Sequence, residues 1–306
     1  MDNRLRSLLR RTCVLIVTLV TMVTTLVTLC GTSRSQSLLE EMTTEGVQFR
    51  QGVKVVLPVP TLTSDAFSKT SDEQTEKLRK QLAGNDSWDR FTRDSVVAPV
   101  TIKLEYVIDA AGERVGHSVH SAFIVHAKLD SLGDKELMQQ IFGKPESNAG
   151  SGMKVTELSE ADLKAAQSTA PVTDEKGGLK VTYSQVDFTL LDKIRLNGVL
   201  RIERSFTPSS TTIAWILDPH FSANEKLRGT WSKISDAADK SEPYTGWGGY
   251  MNVTRVSDSP EMLLIESRML LHELPEWFSG SNFVRSKLPL VIQEGARNFR
   301  RKLKAQ

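Results

Sequence analysis

The sequence predicts an α+β protein in which a curved antiparallel sheet of about seven to eight strands grips a long C-terminal helix. The first observation is a period-two alternation of apolar and polar residues, which begins near residue 96 and recurs between turn residues. The second is a helical spacing of apolar residues close to the C-terminus. The third is an uncharged apolar run behind a basic flank, which predicts an N-terminal export or anchor helix.

The N-terminal segment contains the clearest targeting signal of the sequence. Arginines at positions 4, 6, 10 and 11 precede a run from Cys13 to Cys30 that contains no charged side chain. About 18 residues is near the lower limit for crossing a bilayer, and small residues after the run offer a cleavage site near Ser35. Residues 1–35 are therefore predicted to be a signal peptide or an uncut membrane anchor. Either outcome exports the rest of the chain across the cytoplasmic membrane, as a periplasmic, secreted or membrane-anchored protein.

Composition excludes several classes of partner and site. The chain has 306 residues and a net charge of +2, so its overall charge implies no nucleic-acid partner. Both cysteines lie inside the export segment. The exported part therefore has no disulfide, no thiolate metal site and no cysteine nucleophile.

Residues 36–95 are predicted to be a tether followed by an N-terminal helical extension. The stretch from Ser33 to Thr44 is polar and typical of a tether. A short extended segment, residues 53–60, ends in two prolines. The acidic turn that follows Ser71 predicts a helix that continues to Gly84, and a second short element is expected around Trp88.

Residues 96–306 are predicted to form the main domain. Alternation over residues 100–108 and 119–125, with a turn between them, predicts a hairpin of long strands. Short helices are expected over residues 134–142 and after the capping residue Ser159, with a flexible loop over 143–152. Six further strands, separated by turn residues, are predicted to pair antiparallel over residues 179–191, 198–206, 211–217, 227–235, 250–257 and 262–273.

The predicted cover of the sheet is a C-terminal helix. Apolar residues recur at helical spacing from Leu288 to Leu303, and basic residues occupy the other face and the last turn. Because proline fits the first helical position, Pro289 predicts that this helix starts near Lys287 or Leu288.

This order of elements resembles the START-like helix-grip superfamily, also called the Bet v 1-like or polyketide cyclase/dehydrase type. Residues 229–234 resemble its penultimate region, and residues 262–277 with the C-terminal helix resemble its end. The resemblance covers roughly residues 119–304. The strand over residues 99–108 departs from it, because the family has no strand at that place.

The resemblance implies a deep cavity between the sheet and the C-terminal helix, which holds a lipid or another apolar small molecule. The resemblance assigns no role to any single residue of this chain, because the superfamily has no short catalytic signature. The pattern of apolar residues supplies the candidate lining, and core packing is the alternative interpretation of each of its members. The candidate ligand-binding residues are Phe188, Ile202, Trp215, Trp231, Met251, Leu264, Ile292 and Phe299.

No short motif predicts a catalytic residue, a metal or a cofactor. His120 and His126 are expected on one face of a strand and His117 on the other, as surface or half-buried side chains without a metal. Asp187, Asp192 and Glu203 are the acid/base candidates within strands, although exposed sheet faces commonly carry charges. The glycine-rich residues 246–250 are expected to form a hairpin loop or, alternatively, a gate at a ligand entrance.

Three functions remain open at this stage. The first is an exported or membrane-tethered binding protein, which would contact the membrane through its N-terminal segment if that segment is uncut. The second is a cyclase or aromatase-like enzyme, which requires at least two of Tyr183, Asp187, Glu203 and His272 to point into the cavity together. The third is an envelope scaffold with a filled core and no ligand.

Overall fold

The fold is given by a computed structural model that describes residues 37–50, 52–62, 71–129, 153–166, 179–235, 240–256, 261–278 and 282–304. The predicted export segment, the helix expected over residues 134–142 and the loop expected over 143–152 lie outside these residues. Of the helices described, none is both long and apolar enough to span a membrane.

The first part of the chain forms small elements before the main sheet. In chain order these are α1 (Leu38–Thr44), β1 (Val47–Arg50), β2 (Val53–Val55), α2 (Asp72–Ala83) and α3 (Trp88–Phe91). The predicted helix after Ser71 is confirmed with its caps. The Ser71 side chain accepts a hydrogen bond from the Gln74 N–H in a capping box, and Gly84 ends the helix.

The rest of the chain builds a ten-stranded sheet and the helices that flank it. The elements are β3 (Thr101–Ile108), β4 (Arg114–His126), β5 (Met153–Glu157), α4 (Glu160–Ala165), β6 (Leu179–Leu190), β7 (Ile194–Phe206), β8 (Ser210–Leu217), β9 (Thr230–Lys233), β10 (Glu242–Pro243), β11 (Trp247–Arg255), β12 (Met262–His272), α5 (Pro275–Phe278) and α6 (Phe283–Lys304).

Every strand pair in this sheet is antiparallel, which confirms the predicted class. The order is β5-β6-β7, then β8-β11-β12-β4-β3, and β9 pairs with the first part of β7 beside β8. The sheet has more strands than the seven to eight predicted, because β5 and β10 were missed. Both are short, at five and two residues, and neither shows an alternation long enough to detect.

The two faces of the sheet carry different covers. On one face, which we call the helix face, side chains of β12 such as Leu263 and Ile265 share a packed cluster with Phe299 of α6. On the other, which we call the outer face, their neighbour Leu264 shares a cluster with Leu82 of α2. The predicted packing of the C-terminal helix on an antiparallel sheet is therefore confirmed.

Part of the predicted tether is a packed helix. Leu38 and Met42 of α1 are both fully buried and belong to an outer-face cluster with Tyr250. The Leu38 N–H donates a hydrogen bond of 3.0 Å to the Glu203 carboxylate on β7. The tether prediction is thus wrong from Leu38 onwards, because burying two large apolar side chains contributes about 1.5–3 kcal/mol each.

Helix α6 begins earlier than its proline predicts. It starts at Phe283, so Pro289 lies inside it, and the predicted start near Lys287 or Leu288 is wrong. Val284 and Leu288 are buried in the same cluster one turn apart, and the Ser286 N–H bonds to the Asn282 carbonyl. Packing of the first turn on the sheet therefore outweighs the one backbone hydrogen bond that proline removes.

Two glycines give opposite predictions for replacement by alanine. A Cβ at Gly295 in α6 meets nothing within 4 Å, so Gly295→Ala is expected to stabilise the protein by about 0.5–1 kcal/mol. At Gly249 in β11 a Cβ would collide with the Arg268 carbonyl and lie 3.0 Å from the Trp215 ring. Gly249→Ala is expected to destabilise by about 1–3 kcal/mol. Urea unfolding of the two variants measures these changes in the free energy of unfolding, and equal changes in both would contradict the two predictions.

Candidate functional site

A row of side chains crosses the helix face of the sheet at its middle strands. The strand register aligns, from β7 to β3, the residues Ile202, Trp215, Gly249, Met269, Val119 and Leu104. Gly249 leaves room for the indole of Trp215, whose Cζ2 would lie 3.0 Å from a Cβ there. The glycine therefore allows the large ring to lie flat across the neighbouring strand.

The row is apolar but incompletely covered. Ile202, Trp215 and Met269 are half-buried, and so are Met251 on β11 and Ile292 on α6. On the outer face of the same strands, Ala214 and Tyr250 are buried. Half-buried apolar side chains at the centre of a sheet are unusual in a filled core. We call Ile202, Trp215, Met251, Met269 and Ile292 the groove residues.

Seven of the eight predicted lining residues lie in the clusters of the helix face. Phe188, Ile202, Trp215, Trp231 and Ile292 belong to one cluster, and Met251 and Phe299 belong to the adjacent one. The placement of Leu264 is wrong. It packs on the outer face with Leu82 and Phe91 and cannot reach a space between the sheet and α6.

Aromatic rings fill one end of the helix face. Trp231 of β9 and Trp277 of α5 have ring centroids 5.8 Å apart, and Tyr244 lies 5.4 Å from Trp277. Trp247 stacks on Phe188 at 5.5 Å. Burial raises the pKa of Tyr244 well above its usual value, and its hydroxyl donates to the His272 carbonyl at 3.0 Å. This end of the helix face is therefore rich in aromatic rings.

A polar cluster lies where β4, β12 and the start of α6 meet. His117 is buried and its Nε2 bonds to the Glu273 carboxylate, which also accepts from Arg114 at 2.9 Å. The Tyr106 ring lies beside His117 at 5.3 Å, and the Tyr106 hydroxyl donates to Asn282 at 2.8 Å. Hydrogen bonding from Arg285 lowers the pKa of Tyr106.

A second histidine–glutamate pair lies on the outer face. Glu266 is fully buried and accepts hydrogen bonds from His120 at 3.1 Å and from both the N–H and hydroxyl of Thr61 at 2.7 Å. This pair fixes the segment at residues 57–62 onto the sheet. The expected separation of His117 from His120 and His126 by face is confirmed. Their expected exposure is wrong for His117 and His120, which are buried.

The residues named for catalysis do not meet on the helix face. Asp187 bonds to Arg195, and Asp192 lies in the β6–β7 turn with a φ of 57°. Glu203 and Tyr183 lie on the outer face, where burial is the main cause of the raised pKa of each. The enzyme interpretation therefore loses the convergent pair that it requires.

His272, the remaining candidate of that set, stacks on Phe49 at 5.7 Å. Phe49 belongs to the outer-face cluster of α1 and β1. The glycine-rich residues 246–250 form neither a hairpin loop nor a gate. Gly246 takes a φ of +91° and the chain then enters β11 at Trp247, so both interpretations of this segment are wrong.

No family model and no curated protein matches the chain. Among solved structures, the chain is similar to the human StarD13 (DLC2) lipid transfer and protein localization domain, at 8% identity over 77% of this chain and 98% of that one, with a TM-score of 0.35. Human STARD10 matches at 12% identity over 78% and 84%, also with a TM-score of 0.35. CalU16 from Micromonospora echinospora matches at 13% identity over 68% and 95%, with a TM-score of 0.23.

The connections between the strands of this chain define its fold. Strand β4 lies between the last strand and the added edge strand β3, consecutive antiparallel strands follow, and α6 packs across the helix face. The chain has a helix-grip architecture, in which an antiparallel sheet packs against the C-terminal helix. Beyond the pattern expected for it, β5 extends the opposite edge, and α1 to α3 cover the outer face.

Proposed function

We propose that this protein holds an apolar small molecule or lipid against the groove residues, between the helix face of the sheet and α6. The observation that carries the proposal is the half-burial of Ile202, Trp215 and Met269 at the middle of the sheet. A ligand that covers about 200 Å² of this apolar surface gains roughly 5 kcal/mol from its removal from water. The groove residues are themselves uncharged, which suits a neutral ligand.

We also propose that the protein works as an exported or membrane-tethered carrier. The support is the basic flank and uncharged run of residues 1–35. N-terminal sequencing of the protein from a membrane or exported fraction tests this. A start near Ser35 indicates a cleaved signal, and a start at Met1 in the membrane fraction indicates an anchor. Recovery from the cytosol alone would contradict the proposal.

The binding proposal predicts a specific loss in one variant. Ile202→Asp places a carboxylate among the groove residues, where a ligand would desolvate it, so retention of an apolar probe is expected to fall by more than about tenfold. The matched control is Val59→Asp, since Val59 is 66% exposed and lies outside the groove. It is expected to retain the probe as the wild-type protein does.

The measurement is solvent extraction and mass spectrometry of the purified protein after incubation with phosphatidylcholine vesicles that contain methyl hexadecanoate. The wild-type protein and Val59→Asp are expected to retain the ester through gel filtration, and Ile202→Asp is expected to lose it. Retention by none of the three would favour a scaffold with a filled core. Equal retention by all three would place the ligand elsewhere.

A further inference from the structure

We infer that the groove binds a ligand that carries a neutral oxygen acceptor, such as an ester or ketone carbonyl, and that the indole N–H groups of Trp231 and Trp277 bind this oxygen. The inference rests on the proposed function and names the chemical class of its ligand. It is carried by two buried donors for which the described part of the chain provides no acceptor.

The two indoles lie at the aromatic end of the groove. Trp231 is 6% exposed and Trp277 is 4% exposed, and both belong to the cluster that contains Ile202, Trp215 and Ile292. Trp231 comes from β9, whereas Trp277 comes from α5, so two separate elements bring their rings to 5.8 Å. The fold, and not closeness in the sequence, therefore brings the two rings together.

Both indole nitrogens are shielded and unbonded. The Nε1 atoms of Trp231 and Trp277 are inaccessible to solvent and have no hydrogen-bond partner among the residues that the structure describes. An indole N–H can only donate, so nothing but an acceptor satisfies it. A buried donor without a partner costs about 1–3 kcal/mol, and such groups are few in folded proteins. Because two such donors lie with their ring centroids 5.8 Å apart, we infer that a bound ligand supplies their acceptor.

The hydroxyl of the neighbouring Tyr244 already has a hydrogen-bond partner. The Tyr244 ring lies 5.4 Å from that of Trp277, but its hydroxyl donates to the His272 carbonyl. Some buried donors elsewhere are satisfied within the chain, whereas others, such as the Tyr183 hydroxyl, also have no partner among the described residues. The Asn252 amide, for example, donates to the Leu62 carbonyl at 3.0 Å and to the Thr254 hydroxyl at 2.8 Å.

The surroundings favour a neutral acceptor over an anion. The rings next to the pair, Tyr244 and Phe278, carry no charge. A carboxylate or phosphate buried beside these uncharged rings would lose its hydration, and that loss is large. A carbonyl oxygen has two lone pairs, so one such atom can accept from both indoles.

The test is a competition between two probes that differ in the acceptor. The full-length protein is incubated with phosphatidylcholine vesicles that contain equal amounts of methyl hexadecanoate and octadecane, and the bound material is then extracted and quantified by gas chromatography with mass spectrometry. The wild-type protein is expected to enrich the ester over the hydrocarbon by about three- to tenfold relative to the vesicles. Trp231→Phe and Trp277→Phe are each expected to reduce this enrichment, and the double variant to abolish it.

The matched control is Trp88→Phe, because Trp88 lies on the outer face with Phe91. It is expected to keep the full enrichment. Retention of both probes in equal amounts by the wild-type protein would overturn this inference and leave the proposed function standing. Enrichment that survives in the double variant, or that is lost in Trp88→Phe, would also overturn it. Retention of neither probe would defeat the proposed function and this inference with it.

Discussion

Replacing Arg300 with methionine is expected to lower the free energy of unfolding by about 3–5 kcal/mol. Arg300 lies in α6 and is 4% exposed. Its guanidinium donates to four backbone carbonyls, those of Ile124 at 2.9 Å, Val96 at 3.3 Å, Ala98 at 2.6 Å and Pro99 at 3.1 Å.

These carbonyls lie where the sheet leaves them without a strand partner. Strand β3 pairs with β4 only as far as Ala122, so the Ile124 carbonyl lies beyond the ladder, and residues 96–99 lead into β3. Burial lowers the pKa of Arg300 to about 10. This pKa is still well above neutral pH, so the guanidinium stays protonated at pH 7. Methionine fills a similar volume but donates nothing, so the carbonyls lose their donors.

The adjacent residue supplies the control. Arg301 is exposed and pairs with Glu294 at 3.2 Å, and such surface pairs contribute about 0–1 kcal/mol. Urea unfolding of Arg300→Met and Arg301→Met therefore compares the same substitution one residue apart. A loss below about 1 kcal/mol in Arg300→Met would show that the four carbonyls find other donors.

Replacing Glu266 with alanine is expected to cost about 3–5 kcal/mol at pH 7, because it leaves His120 and the Thr61 N–H buried without their acceptor. Burial alone would raise the pKa of Glu266, but hydrogen bonds from His120 and Thr61 hold that pKa below its usual 4.5. The stabilisation is therefore present above about pH 4.5 and is lost as the pH falls through the lower folded-state pKa.

The measurement is the difference in unfolding free energy between the wild-type protein and Glu266→Ala as a function of pH. The difference is expected to be constant near neutral pH and to shrink in acid. Glu105→Ala is the control, since Glu105 is exposed on the edge strand β3, and its effect is expected to stay within about 0.5 kcal/mol. A difference that grows on acidification would contradict the assigned role of the carboxylate.

Local signals in the sequence predicted the elements whose structure is decided locally. Capping residues located α2 and α4, and alternation located β3 and β4. The face of the sheet on which Leu264 lies could not be predicted in this way. Strand β12 is covered on both faces, so its apolar residues run almost continuously from Met262 to Ile265 and the alternation loses its phase.

Contacts between residues that are distant in the chain also could not be predicted from the sequence. Glu273 lies 156 residues from His117, and only the register of β12 against β4 brings them together. The prediction of a polar tether from Ser33 to Thr44 could have been avoided, because Leu38 and Met42 lie four residues apart, as on one face of a helix. The unbonded state of the Trp231 and Trp277 nitrogens depends on three-dimensional surroundings that no spacing in the chain encodes.

The most direct test of the central claim is photo-crosslinking with a methyl hexadecanoate analogue that carries a mid-chain diazirine, followed by residue-level mass spectrometry. We expect labels on the groove residues, above all Ile202, Trp215 and Ile292, and we expect unlabelled ester to compete with the labelling. Labels on outer-face residues such as Leu264 or Leu82, or labelling that unlabelled ester does not reduce, would contradict the central claim.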